Sequence, residues 1–147
     1  MNALDLLMMD HRSVEKLFSE FQTATAGRRA EVFGQVFTEL TMHTEVEEQV
    51  FYPALETESA SEVEHSLDEH TKVKALLEEL QDTDPDSDSF EKRFTEMMRD
   101  VQKHIREEEE PGGLMDIARQ RLGESALDEM GAQMESLKAR LQGPMAA

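Results

Sequence analysis

Two segments of the chain carry the same signature, His43-Thr-Glu-Val-Glu47 and His104-Ile-Arg-Glu-Glu108. Both lie in runs whose apolar residues recur at steps of three and four, which is the period of an α-helix. In residues 29–52 the line is Phe33, Val36, Leu40, His43, Glu47 and Val50; in residues 90–109 it is Phe90, Phe94, Met97, Val101, His104 and Glu108. Positions i and i+4 share one face of a helix. Each segment therefore turns an imidazole and a carboxylate side by side into an apolar seam. Burying a carboxylate there is costly unless a positive group pairs with it.

Two further runs have the same character with a single histidine. Residues 2–24 show Leu4, Leu7, His11, Val14, Phe18 and Phe21; residues 62–81 show Val63, Leu67, His70, Val73 or Lys74, Leu77 and Leu80. Asn2 is placed to cap the first helix, with Asp5 three residues on, and Ser61 with Glu64 has capping-box spacing for the third. Thr25 to Arg28 reads as a turn, and Pro53 is expected to end the second helix because proline disfavours helical geometry in the residue before it. Residues 53–61 then read as a loop. Asp82 to Ser89 is an acidic, turn-rich loop expected to be the most mobile segment. After Pro111-Gly112-Gly113, a short helical piece (114–122) leads to Gly123. A last helix starts with the capping pair Ser125 and Asp128 and shows Leu127, Met130, Met134, Leu137 and Leu141 on one face. It carries no histidine and reads as a cover for the bundle.

The predicted fold is all-α: an antiparallel, up-down-up-down four-helix bundle with an additional C-terminal helix. It is expected to be one domain over residues 1–147, with the bundle in 2–110 and the covering helices in 114–142. No strand pattern competes with this reading.

Composition limits the chemistry. There is no cysteine, so thiolate catalysis, disulfides and sulfur-ligated metals are out of reach. Fifteen basic against thirty-three acidic residues leave a formal charge of −18, which would repel phosphates and anionic lipid surfaces. Neither nucleic acid nor membrane is therefore an expected partner. Cation binding and a high-salt setting would both fit this charge. No stretch approaches the roughly 18 apolar residues of a membrane span. The start, Asn-Ala-Leu-Asp-Leu-Leu, lacks the basic region of a signal peptide, and the expected compartment is the cytoplasm.

Four buried imidazoles and two buried carboxylates on four helices would be badly desolvated with nothing to bind. A cation site removes that cost. Two glutamates suggest two ions, since a carboxylate can bridge metals about 3.5–4 Å apart. A nitrogen–oxygen donor set suits iron, manganese or zinc, and suits magnesium or calcium poorly. His11, His43, Glu47, His70, His104 and Glu108 are the candidate metal ligands.

The order His11, His43-x-x-x-Glu47, His70, His104-x-x-x-Glu108 resembles the hemerythrin-like, HHE cation-binding domains, from about residue 4 to 142. Asp10-His11, Glu47-Glu48 through Phe51-Tyr52-Pro53, Glu69-His70 and Glu107-Glu108-Glu109 support the resemblance. It implies a non-haem di-iron centre with an oxo or hydroxo bridge and an open position for a small ligand: O2, NO or H2O2. Oxygen-carrying hemerythrins have a fifth histidine one turn before that of the third helix, where this chain has Ser66. One iron is then expected to carry water or another carboxylate, with Glu48 and Glu69 the nearest candidates. Such a centre should suit peroxide or redox chemistry better than reversible O2 carriage. The functions in view are small-ligand binding or sensing, peroxide decomposition of a catalase or peroxidase kind, and iron storage. The oligomer expected is a monomer or weak homodimer. Tyr52 reads either as bundle-end packing or as a phenol near the metals, and His65 as solvent-facing.

Overall fold

The computed structural model describes the backbone of residues 1–146 and side chains to residue 143. Every regular element in it is helical. The order is α1 (Ala3–Thr23), α2 (Ala26–Val46), a π-helical turn (Glu47–Phe51), α3 (Tyr52–Leu55), α4 (Ala60–Gln81), α5 (Asp88–Glu109), α6 (Leu114–Arg121) and α7 (Glu124–Ala146). Helices α1, α2, α4 and α5 pack in a closed ring, each against two neighbours, and α7 lies across α1 and α2. The expected bundle with an added C-terminal helix is what forms.

Asn2 caps α1, its Oδ1 accepting from the Asp5 amide at 2.9 Å. Ser87 caps α5 in the same way, at 3.2 Å to the Phe90 amide. Four local expectations need correction. Helix α2 begins at Ala26, because the Thr25 carbonyl accepts from Arg28 and Arg29, so the turn shrinks to two residues. Helix α4 begins at Ala60, which places Ser61 inside it rather than at its cap. Helix α7 likewise begins at Glu124, leaving Ser125 within the first turn. Pro53 does not end the helical path, which runs on to Leu55. A proline ring clashes with the carbonyl four residues back in an α-helix. Here the preceding turn is opened to a π turn, with the Tyr52 amide reaching the Glu47 carbonyl.

Two apolar clusters sandwich a polar layer. One is rich in phenylalanine, with Phe21 and Phe94 stacked at 3.7 Å between ring centroids. The other joins Leu7, Val46, Phe51 and Leu55 to Leu114, Met115, Met130 and Met134 of the two C-terminal helices. The buried line of α4 is Val63, Ser66, His70, Val73, Leu77 and Leu80, so Ser66 rather than Leu67 faces inward; Leu67 is exposed. At the end of α5 the chain reverses through Gly112, whose φ of +84° favours glycine. A Cβ on Gly113 would collide with the Glu107 and Glu108 carbonyls, so only glycine allows that close return.

Candidate metal centre

The polar layer contains all six predicted residues. His11, His43, Glu47, His70, His104 and Glu108 are buried and converge between the four long helices. Each helix supplies one imidazole, because each histidine occupies a slot in an apolar stripe that packing turns inward.

Every imidazole points Nε2 at the centre and Nδ1 at a carboxylate outside it. His43 Nδ1 is 2.9 Å from Asp10 Oδ2, His70 Nδ1 2.8 Å from Glu48 Oε2, and His104 Nδ1 2.7 Å from Glu69 Oε1. His11 Nδ1 is 2.6 Å from Glu109 Oε2. Each of these carboxylates adjoins, in sequence, a central residue of its own helix but serves the histidine of the next helix round. The chain of bonds runs α1 to α2, α2 to α4, α4 to α5, and α5 back to α1. Each carboxylate also has a cation behind it: Lys138 on Asp10, Lys74 on Glu48, Lys103 on Glu69 and Arg12 on Glu109. With Nδ1 as donor to a carboxylate, the neutral imidazole is held with the Nε2 lone pair directed inward.

The inner atoms fall into two overlapping groups. His11, His43, Glu47 and Glu108 form one; Glu47, His70 and His104 form the other, and within each the ligand atoms lie within 4.8 Å of one another. Glu47 belongs to both. Glu108 spans them, with Oε1 3.4 Å from His11 Nε2 and Oε2 3.2 Å from His104 Nε2. Four buried atoms have no hydrogen-bond partner: His11 Nε2, His43 Nε2, Glu47 Oε2 and Glu108 Oε1. Native proteins seldom leave such atoms orphaned. His70 and His104 also bring their Nε2 atoms within 3.2 Å, a contact that two protonated rings would resist and a shared cation relieves. On these grounds the donor set fits a pair of metal ions.

The electrostatics say the same. Burial works to lower the His43 pKa, but Glu47 and Asp10 overcome it and raise it to about 10. Burial is likewise outweighed at His104, which Glu108, Glu47 and Glu69 push well above the usual histidine range. For Glu47 burial acts upward, yet His43, His104 and His70 hold the carboxyl well below its ordinary value. The pocket demands positive charge, whether protons or metal supply it.

Tyr52 belongs to the site and not to bundle-end packing. Its hydroxyl lies 2.5 Å from Glu108 Oε2, 3.1 Å from Glu47 Oε1 and 3.2 Å from the Nε2 atoms of both His70 and His104. In an α-helix Tyr52 would be about 140° round from Glu47. The π turn widens the spiral and brings the fifth residue back over the first, a use such turns often have at functional sites. Ser66, at the fifth-histidine position, is buried on the inward face of α4. Burial, then Glu47 and Glu108, push the phenol well above its usual pKa. Glu48 and Glu69, the carboxylates expected to replace the missing histidine, face the outer Nδ1 atoms instead. His65 is exposed, as expected.

On the side away from Tyr52 a cavity of about 20 Å3 opens beside the imidazoles. Val14, Leu40, Val73, Val101 and Ile105 line it together with the histidines. It has room for a ligand of one or two heavy atoms.

A helical bundle with four inward imidazoles and two shared carboxylates defines a class, and comparison with known proteins agrees. Residues 2–111 match the hemerythrin HHE cation-binding domain, and the chain belongs to that family. A protein of Nostoc named DNA nickase is 30% identical over 144 residues, which are 97% of this chain and 40% of that protein. An uncharacterised hemerythrin-like protein of Schizosaccharomyces pombe is 31% identical over 111 residues, 72% of this chain and 55% of that one. The chain thus matches only about half the length of these relatives. The crystal structure of a hemerythrin HHE cation-binding domain-containing protein from Mycobacterium kansasii shares the fold, with a TM-score of 0.78 at 19% identity over 98% of this chain and 89% of that one.

Proposed function

We propose that the chain holds two iron ions between His11, His43, Glu47, His70, His104 and Glu108 and uses them to bind or react with a small ligand: O2, NO or H2O2. The observation that carries this reading is the inward convergence of four imidazole Nε2 atoms and two carboxylates, four of whose atoms are buried without partners. His11 and His43 would hold one ion, His70 and His104 the other, with Glu47 and Glu108 shared. The Tyr52 hydroxyl lies on the second pair and is a further oxygen donor there. Nitrogen and carboxylate donors suit iron, manganese and zinc alike; an added phenol favours ferric iron among them. A pair of iron ions supplies electron exchange with O2, NO or peroxide.

The chain's own residues set the terms. The cavity, walled by aliphatic side chains and the four imidazoles, is sized for a small molecule. The outer carboxylates fix the rings, and the hydrogen bond between Tyr52 and Glu108 holds a proton at the centre's edge. The buried phenol, an oxidisable group at the centre, favours a second reading, peroxide decomposition. A charge of −18 favours neither reading but opposes a nucleic-acid partner for this chain.

Anaerobic loading with Fe(II), metal analysis and optical spectra with O2, NO and H2O2 test the proposal, with peroxide consumption measured alongside. Two irons per chain and a ligand-dependent spectrum are the expected result. One iron or none per chain would overturn it. Consumption of H2O2 by the loaded protein would select the enzymatic reading.

A further inference from the structure

We propose that His65, Glu69 and Glu107 form a second, solvent-facing site for a divalent cation, which receives metal on its way to the buried centre. This rests on the reading of that centre given above. The three side chains come from adjacent turns of α4 and α5, with His65 Nε2 2.9 Å from Glu107 Oε2 and 3.5 Å from Glu69 Oε2. One nitrogen and two carboxylates within 4.8 Å of one another are a usable face for a cation that keeps its remaining waters.

Three observations separate this group from an ordinary acidic patch. His65 and Glu107 line a cavity of about 370 Å3 whose other walls include Glu62, Glu110 and the buried Ser66 and Glu108. No lysine or arginine lines it among the described residues, so the field inside draws cations in. Glu108 is a residue of the centre itself, and its Oε1 is buried without a partner. Glu69, finally, belongs to both places: Oε2 faces His65, while Oε1 accepts from His104 Nδ1.

A cation already tests these oxygens. The Lys103 ammonium lies 3.5 Å from Glu69 Oε2 and 3.3 Å from Glu107 Oε1 on a largely exposed side chain. A divalent ion would displace it into water at little cost. Lys103 therefore competes with entering metal.

Stopped-flow uptake of Fe(II) by the metal-free full chain, without oxygen, reads the proposal. His65→Ala and Glu107→Gln should load roughly tenfold more slowly, the scale on which a charge-lined cleft alters association rates. Lys103→Gln should load faster than the parent, which a merely structural lysine would not do. The His65 and Glu107 variants should reach the parent's final iron content and spectrum. Unchanged uptake rates in variants that fill both positions would overturn this site alone. A parent chain that never takes up two irons would instead overturn the reading of the centre. Circular dichroism confirms that each variant is folded before it is compared.

Discussion

Glu109 Oε2 stands 2.6 Å from His11 Nδ1 and joins the last helix of the bundle to the first. With the three pairs before it, this contact completes a circuit in which every imidazole is oriented by a neighbour's carboxylate. Outer partners of this kind typically govern metal affinity by 10–100-fold. Glu109→Gln and Asp10→Asn should each weaken iron retention by roughly that factor while two irons still bind at saturation. Competition with a chelator of known affinity measures it. Lys138→Met, which removes the cation behind Asp10, should act in the same direction and more weakly. Lys138 lies beyond the segment matched by the family model, so α7 does more than cover the bundle.

Loss of an inner ligand should be more severe. In the proposed centre His43→Ala and His104→Ala would each remove one of two imidazoles from an ion and leave facing carboxylates buried without charge compensation. Both variants are expected to lose the charge-transfer absorption of the iron-loaded protein. Normal iron content and an unchanged spectrum in both would show that these nitrogens are not ligands.

Tyr52→Phe deletes one oxygen and almost nothing else. The ring is fully buried against Phe51 and His70, so the bundle should keep its packing. The variant should retain two irons and lose any phenolate-to-iron band, along with most of the peroxide consumption if the parent shows it. The same spectrum in parent and variant would place the hydroxyl outside the coordination sphere.

The stability gained on metal loading should depend on pH. In the metal-free chain His43 is raised from 6.5 to about 10, so its contribution is complete below pH 6.5 and fades as pH climbs toward 10. Burial would raise the Glu69 pKa, but His104 and its neighbours hold it at about 2; that contribution is complete above 4.5 and fades toward 2. Metal-free protein should therefore melt at its highest temperature between about pH 4.5 and 6.5. Iron requires these imidazoles deprotonated, so protons compete with it. The rise in Tm on loading should grow from pH 6 to pH 9, a trend that calorimetry of both forms would check.

The six central residues were readable because helical spacing alone aligns His43 with Glu47 and His104 with Glu108, inside stripes otherwise apolar. The carboxylates around them were visible as text beside those residues, but which ring each one serves is a matter of neighbouring helices, and no spacing along one helix encodes that. Tyr52 was left between two readings for a different reason. Its angular position depends on one widened turn, and α-helical arithmetic carried from Glu47 through Phe51 sends it the wrong way. Ser66 was passed over for Leu67 because a leucine one position on fits the same helical step and a buried hydroxyl looks unfavourable.

The circular arrangement of outer bonds has a consequence for how the protein can be taken apart. No single helix carries a histidine together with the acid that steers it, and a helical hairpin carries just one such pair. Half-molecules of α1–α2 and α4–α5 would therefore each hold one correctly aimed imidazole, His43 in the first and His104 in the second, with His11 and His70 unguided. Competence would return only when the halves interlock, which makes tight metal capture a reporter of the whole assembly rather than of its parts.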